Sequence, residues 1–296
     1  MKIQTKDLHG HNLEIIKETP TNQGNQNILI CGSSGSGKTT LLREIEENFT
    51  PTTKILFKAD QEKSIKLTDH RPFFIEDRIN FLDSWQESHQ ADSTGYMILQ
   101  EQIILENIKE KNQTLNELSA ALRKEESKSQ ELEKIILKTI LSKIKTFYPT
   151  QPEKIFNFQK INMEGLTEEE YQFFSSYILR NKYEQLLNEH ISIDEIHRLK
   201  PLMPKLLTRI TREIRSRGGL LATTQSISDL PAEMVNNFGT IFLFETLDNR
   251  DLQFLELIEP KLKETVLELE NHEFIEIRSF NKLKRKGQTY KMELIK

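Results

Sequence analysis

Cysteine is nearly missing from this sequence: Cys31 is the only one in 296 residues. A disulfide within the chain is therefore excluded, and a lone cysteine in an apolar run reads as a small buried hydrophobe in a reducing compartment. A basic excess is missing too. Lys and Arg total 41 against 45 Asp and Glu, a formal net charge of −4. No global positive field exists to attract nucleic acid, so any such contact must be local, in a pore or groove. The start, Met1-Lys2-Ile3-Gln4-Thr5-Lys6, lacks the apolar stretch of a signal peptide, and no apolar run reaches membrane-spanning length. A soluble, cytoplasmic protein with no membrane partner is expected. Glycine and proline vanish between Tyr96 and Phe147, and Gly165 is the only glycine between Tyr96 and Asp194. With 36% hydrophobic and 29% charged residues, the chain has enough apolar material for a sizeable core and enough charge for long solvated helices.

Where glycine does occur it is concentrated. Gly32-Ser33-Ser34-Gly35-Ser36-Gly37-Lys38-Thr39 fits the phosphate-cradling pattern G-x-x-x-x-G-K-[ST] at every fixed position. The apolar run Ile28-Leu29-Ile30-Cys31 leads in, and Thr40-Leu41-Leu42-Arg43-Glu44-Ile45 leads out with helical character. Glycines let backbone N–H groups turn toward phosphates, and the following helix presents its positive end to them. Residues 32–40 are therefore expected to bind ATP, with Lys38 reaching the β- and γ-phosphates and the Thr39 hydroxyl ligating Mg²⁺.

Along the chain, a first core strand is expected at 27–32, a helix at 38–48 stopped by Pro51, and a second strand at 54–60. From Ser84 to Thr146 apolar residues recur at helical spacing in two groups, Ile103 to Leu122 and Leu132 to Ile144. The wholly polar run 123–131 separates them. This predicts an all-α insertion built as a helical hairpin, with the polar run as a solvated helix face. The α/β texture then returns. Strands are expected at 154–158, 190–194, 219–224, 240–244, 272–278 and 288–294, and helices at 167–187, 201–217 and 249–268. Strands alternating with helices argue for a mainly parallel sheet covered on both faces.

His190-Ile191-Ser192-Ile193-Asp194-Glu195 is an extended, largely apolar segment ending in two carboxylates. On a parallel sheet edge, Asp194 would hold Mg²⁺ and Glu195 would orient and deprotonate the attacking water. The alternative is an acid-rich helix start. Leu220 to Gln225 reads as a buried strand with polar residues at its end, where Gln225 either contacts the γ-phosphate or lytic water or caps the strand. Before it, Arg209, Arg212, Arg215 and Arg217 crowd one helix end. They complement a helix dipole, or one of them serves a neighbouring subunit as an arginine finger.

Taken together, Gly32–Thr39, Asp194-Glu195-Ile196-His197-Arg198, the arginine helix ending in Gly218-Gly219, and Leu221-Ala222-Thr223-Thr224-Gln225 with Asp229-Leu230-Pro231 resemble the HerA/FtsK superfamily. The resemblance covers most of residues 24–247. It implies a RecA-like P-loop NTPase core formed by 1–84 and 149–296, split by a helical insertion at 85–148. It further implies a homo-oligomer, a hexameric ring in particular, that pumps DNA as a translocase or helicase. It places the family's arginine finger three residues before the glycine, at Arg215. HerA-like proteins carry an N-terminal β-barrel, where this sequence has about 26 residues before its first core strand, and they favour Ala where Ile196 stands. His197 is read as a helix-surface residue linking the site to DNA or a neighbour.

Two functions follow. One is a ring motor that moves duplex DNA, with a separate effector such as a nuclease, since no nuclease chemistry is visible in this chain. The other is an ATP-dependent switch or scaffold that gates an effector. An ABC/SMC-type clamp is excluded, because no Leu-Ser-Gly-Gly-type signature precedes the acidic strand.

Overall fold

The computed structural model describes residues 3–6, 12–13, 26–46, 52–56, 65–66, 74–75, 77–88, 94–108, 113–144, 160–186, 190–214, 218–246, 248–258, 260–270, 272–278 and 288–294. The chain falls into two compact units, Met1–Ile55 joined with Glu184–Lys296, and Leu56–Tyr183.

The first unit opens with β1 (Ile3–Lys6), β2 (Asn12–Leu13), β3 (Ile28–Cys31), α1 (Lys38–Glu46) and β4 (Thr52–Leu56). The second unit contributes β5 (Ile65–Lys66), β6 (Phe74–Ile75), α2 (Arg78–Ser88), α3 (Thr94–Asn107), β7 (Gln113–Thr114), α4 (Leu115–Glu126), α5 (Glu131–Ile144), β8 (Lys160–Asn162) and most of α6 (Glu168–Leu186). The first unit then resumes with β9 (His190–Ile193), a 3-10 helix (Ile196–Leu202), a single π turn (Met203–Leu207), α7 (Thr208–Ile214) and β10 (Gly219–Thr224). It finishes with α8 (Ala232–Val235), β11 (Thr240–Phe244), α9 (Asn249–Ile258), α10 (Pro260–Leu267), β12 (Glu273–Arg278) and β13 (Gln288–Leu294).

In the first unit β4, β9, β10, β3 and β11 lie side by side and parallel. Their apolar runs are continuous rather than alternating, as strands covered on both faces require. Every residue of β3 and of β10 is buried. The register aligns Cys31 with Thr224 and Leu243, and Ala222 with Ile193, so these strands finish at one carboxyl edge. Beyond β11 the pairing turns antiparallel through β12, β13, β1 and β2. Ile28, Ile30, Leu221, Phe242, Phe244 and Phe274 form the core against Leu41, Leu42 and Ile45 of α1. Phe242 and Phe274 meet edge-on at 5.5 Å between ring centroids, a favoured aromatic geometry.

In the second unit, α4 and α5 pair as the expected hairpin, burying Leu115, Leu118 and Leu122 on one helix and Ile136, Leu137, Ile140, Leu141 and Ile144 on the other. Thr114 and Glu117 cap α4 reciprocally. Phe81 and Trp85 of α2 pack with Phe173 of α6 at centroid distances of 5.5 and 6.4 Å. Arg180 donates to Asp83 and Glu87 beside them. Helical structure here starts at Arg78, before the Ser84 at which sequence periodicity begins.

Several elements differ from expectation. The helix expected at 201–217 is a 3-10 helix, a π turn and only then α7. Pro201 and Pro204 lack the N–H groups that α-helical bonding needs. The helix expected at 249–268 is two helices, the second beginning at Pro260, a favoured first helical residue. The strand expected at 54–60 lies at Thr52–Leu56. The strand expected at 154–158 falls outside the described residues, where β8 follows at Lys160–Asn162.

Candidate active site

All of the geometry below belongs to the first unit. The loop between β3 and α1 leaves the carboxyl edge at Gly32, whose N–H donates to the Thr224 carbonyl at 3.3 Å. Only glycine fits there: a Cβ would stand 2.6 Å from Phe244 Cβ and 3.0 Å from Ser36 Oγ. Lys38 begins α1 and folds its side chain over the loop, donating from Nζ to the carbonyls of Gly32 at 2.6 Å and Ser33 at 2.8 Å. Burial pushes the Lys38 ammonium below its ordinary value, opposed by the negative charges of Glu195 and Asp194. Ser33, Ser34, Gly35 and Thr39 are exposed, whereas Gly32, Ser36 and Lys38 are buried and Gly37 and Thr40 are half-buried. Ser36 Oγ is buried without a hydrogen-bond partner among the described residues. A hydroxyl so placed is the kind that a phosphate oxygen satisfies.

The acidic pair follows β9 at the same edge. Asp194 N–H donates to the Ile55 carbonyl at 3.1 Å, which extends β9 beside β4 by one bond. Glu195 then turns sharply, with φ at 54°, a left-handed backbone that an ordinary side chain seldom adopts. Thr223 of β10 secures this turn with one hydroxyl: Oγ1 accepts the Glu195 N–H at 2.9 Å and donates to Asp194 Oδ1 at 2.6 Å. The Glu195 side chain meets two more groups. Gln225 Nε2 donates to Glu195 Oε2 at 3.2 Å, and His197 Nε2 lies 3.2 Å from the same oxygen. These carboxylates occupy the turn between β9 and the 3-10 helix that begins at Ile196, and the Glu195 carbonyl accepts the Arg198 N–H at 3.0 Å.

The structure brings together the residues of three sequence segments, Gly32–Thr40, Asp194-Glu195 and Gln225, along one edge. Arg212 lies in α7, and Arg209 pairs with Glu213 at 3.1 Å, while Arg215 and Arg217 lie outside the described residues. The donor set that Thr39 and Asp194 offer, a hydroxyl and a carboxylate, is hard oxygen chemistry suited to Mg²⁺.

Three contributors are not evident from sequence. Thr223 sits one strand away from the carboxylates it holds, and only the β9–β10 register reveals the pairing. The particular partner of His197, Glu195, is likewise given only by the structure. Asp251, fully buried at the start of α9, accepts from Ser226 Oγ at 2.6 Å and Ser228 N–H at 2.9 Å. It thereby ties down the loop that begins at Gln225.

No family model and no curated protein matches this sequence. Solved structures do. VirB4 of Thermoanaerobacter pseudethanolicus is similar with a TM-score of 0.71 at 13% identity, over 99% of this chain and 96% of that one. The bacterial conjugative coupling protein TrwB, in its TrwBdeltaN70 form, is similar with a TM-score of 0.59 at 11% identity, over 91% of this chain and 86% of that one. The chain shares the fold of these two proteins, a RecA-like P-loop NTPase fold with a mainly parallel sheet. In this fold the carboxyl edge of the parallel strands is where open α/β sheets bind ligands. Among the described residues no helix is long and apolar enough to cross a membrane.

Proposed function

We propose that this chain is an ATP-hydrolysing motor subunit of the HerA/FtsK type. It would form a homo-oligomeric ring, a hexamer by preference, translocate duplex DNA in a helicase-like manner, and work with a separate effector such as a nuclease. The observation that most supports an ATPase is the meeting of Gln225 with Glu195 at 3.2 Å, on the same strand edge as the Lys38-bearing loop. In this reading the loop residues 32–40 bind the phosphates and Lys38 meets the β- and γ-oxygens. Thr39 and Asp194 would hold Mg²⁺, which when bound neutralises charge developing on the phosphates. Glu195 takes a proton from the attacking water while Gln225 orients it. Arg215, reaching across a subunit boundary, supplies positive charge to the neighbouring site.

Nucleotide titration and phosphate release test this. Lys38→Ala should bind no ATP. Glu195→Gln should bind ATP and lose at least about 10²-fold in turnover, the scale of a lost general base. Duplex DNA should raise the wild-type rate. A wild-type chain that binds no ATP sinks the ATPase reading, and hydrolysis indifferent to DNA points instead to the ATP-dependent switch.

A further inference from the structure

The phosphate loop has a contact from the far end of the chain. His272 Nδ1 lies 3.1 Å from the carbonyl oxygen of Ser36, across a sequence separation of 236. A carbonyl only accepts, so the ring must carry its proton on Nδ1 and donate it. The topology explains the meeting. β12 runs antiparallel to β11, pairing Phe274 with Phe244, so its first residues return to the carboxyl edge where the parallel strands end.

The backbone that delivers His272 is unusual. Glu273 N–H donates to the Glu270 carbonyl at 2.9 Å, and the Glu273 carboxylate accepts the Glu270 N–H at 2.9 Å, closing a turn. His272 is the third residue of that turn and holds φ at 68°. Glycine or asparagine is the commonest occupant of such a position, and histidine is among the few other residues enriched there. Here the left-handed residue also carries a ring that reaches the phosphate loop.

The effect on the loop follows from the planar trans peptide. The Ser36 carbonyl and the Gly37 N–H share one rigid plane and point in opposite directions. Holding the Ser36 oxygen toward His272 therefore fixes the Gly37 N–H on the opposite side. The Ser33 and Gly32 carbonyls are held separately by Lys38, and the Gly37 carbonyl accepts from Leu41 N–H at 3.0 Å; His272 is the side chain that holds the Ser36 carbonyl between them.

We propose that His272 is a positioning residue of the nucleotide site: its Nδ1–H fixes the Ser36–Gly37 peptide so that the loop presents its N–H groups to the phosphates of a nucleoside triphosphate. This rests on the ATPase reading of the same site. A preformed anion cradle binds without ordering cost, so loss of the anchor should weaken binding rather than slow the chemistry.

Three variants, titrated with a fluorescent ATP analogue and Mg²⁺, separate the hydrogen bond from the backbone. His272→Gly suits the left-handed turn and lacks the donor; it should lower affinity about tenfold, equivalent to about 1.4 kcal/mol. Its unfolding midpoint without nucleotide should be no lower than wild type. His272→Asn tolerates the same backbone and offers a side-chain N–H, and should recover affinity to within about threefold of wild type. In steady state His272→Gly should raise KM and keep kcat. Affinity for His272→Gly equal to wild type overturns the proposal, and so does a His272→Asn variant as weak as His272→Gly. Lys38→Ala serves as the reference: if wild type binds no better than Lys38→Ala, the ATPase reading itself has failed.

Discussion

Thr223 shows how much one hydroxyl can organise. Its single proton goes to Asp194 while its lone pair takes the Glu195 N–H, so both carboxylate-bearing residues are held through one atom. Thr223→Val keeps the shape and removes both bonds, leaving the half-buried Glu195 amide without that acceptor. Losing such bonds costs about 1–3 kcal/mol, which as transition-state stabilisation is a fall of about fivefold to 150-fold in kcat. Thr223→Ser should retain most of the rate, and steady-state phosphate release measures both. The placement of the glycines, Lys38 and the acidic pair along one strand edge could be read from the sequence because each lies in a contiguous motif. The hydrogen bonds of Thr223 and His272 could not, because they arise from strand register, a left-handed turn and a returning antiparallel strand. Sequence spacing encodes none of these directly.

Single elements in the core follow the same physics. β10 begins at Gly219, where a Cβ would stand 2.6 Å from the backbone oxygen of Gln26 and 3.1 Å from the His190 ring. Gly219→Ala should therefore destabilise the fold by about 1–3 kcal/mol, the scale of overpacking, read as a lower urea midpoint. At the head of β9, His190 Nε2 meets Gln26 Oε1 at 2.9 Å, and burial lowers the imidazole below its ordinary value of 6.5. Between the lowered folded value and 6.5 the unfolded chain binds a proton that the folded chain refuses. Acidification through that window costs stability, and raising the pH through it restores stability. Urea midpoints at pH 7.5 and 5.5 should show this loss in wild type, and His190→Gln should reduce it. The strands 219–224, 240–244 and 288–294 are legible to the residue, the first two from apolar runs and the third from apolar residues at alternate positions after the turn at Gly287. The helix expected at 201–217 was not, since two prolines override its amphipathic spacing.

For the whole molecule, the decisive quantity is assembly. Light scattering with ATP and duplex DNA should detect a ring, and a strictly monomeric species under every condition would end the motor proposal. Arg215→Ala should bind ATP normally and lose turnover. Mixed into wild type, it should depress activity by more than its mole fraction, because each finger serves a neighbour. Normal hydrolysis by Arg215→Ala would transfer the role to Arg212 or Arg217.

The placement of β3 carries one more consequence. This strand, made from residues 28–31, takes as its two neighbours β10 and β11, so that Ile28 faces Leu221 on one side and Thr240 on the other. Such long-range pairings are slow to form and cannot form at all until the later strands exist. During synthesis the glycine-rich segment emerges early but stays without its flanking strands until residues 219–244 have followed it out of the ribosome. On the ATPase reading, a translation product ending before residue 240 should be retained on no ATP resin.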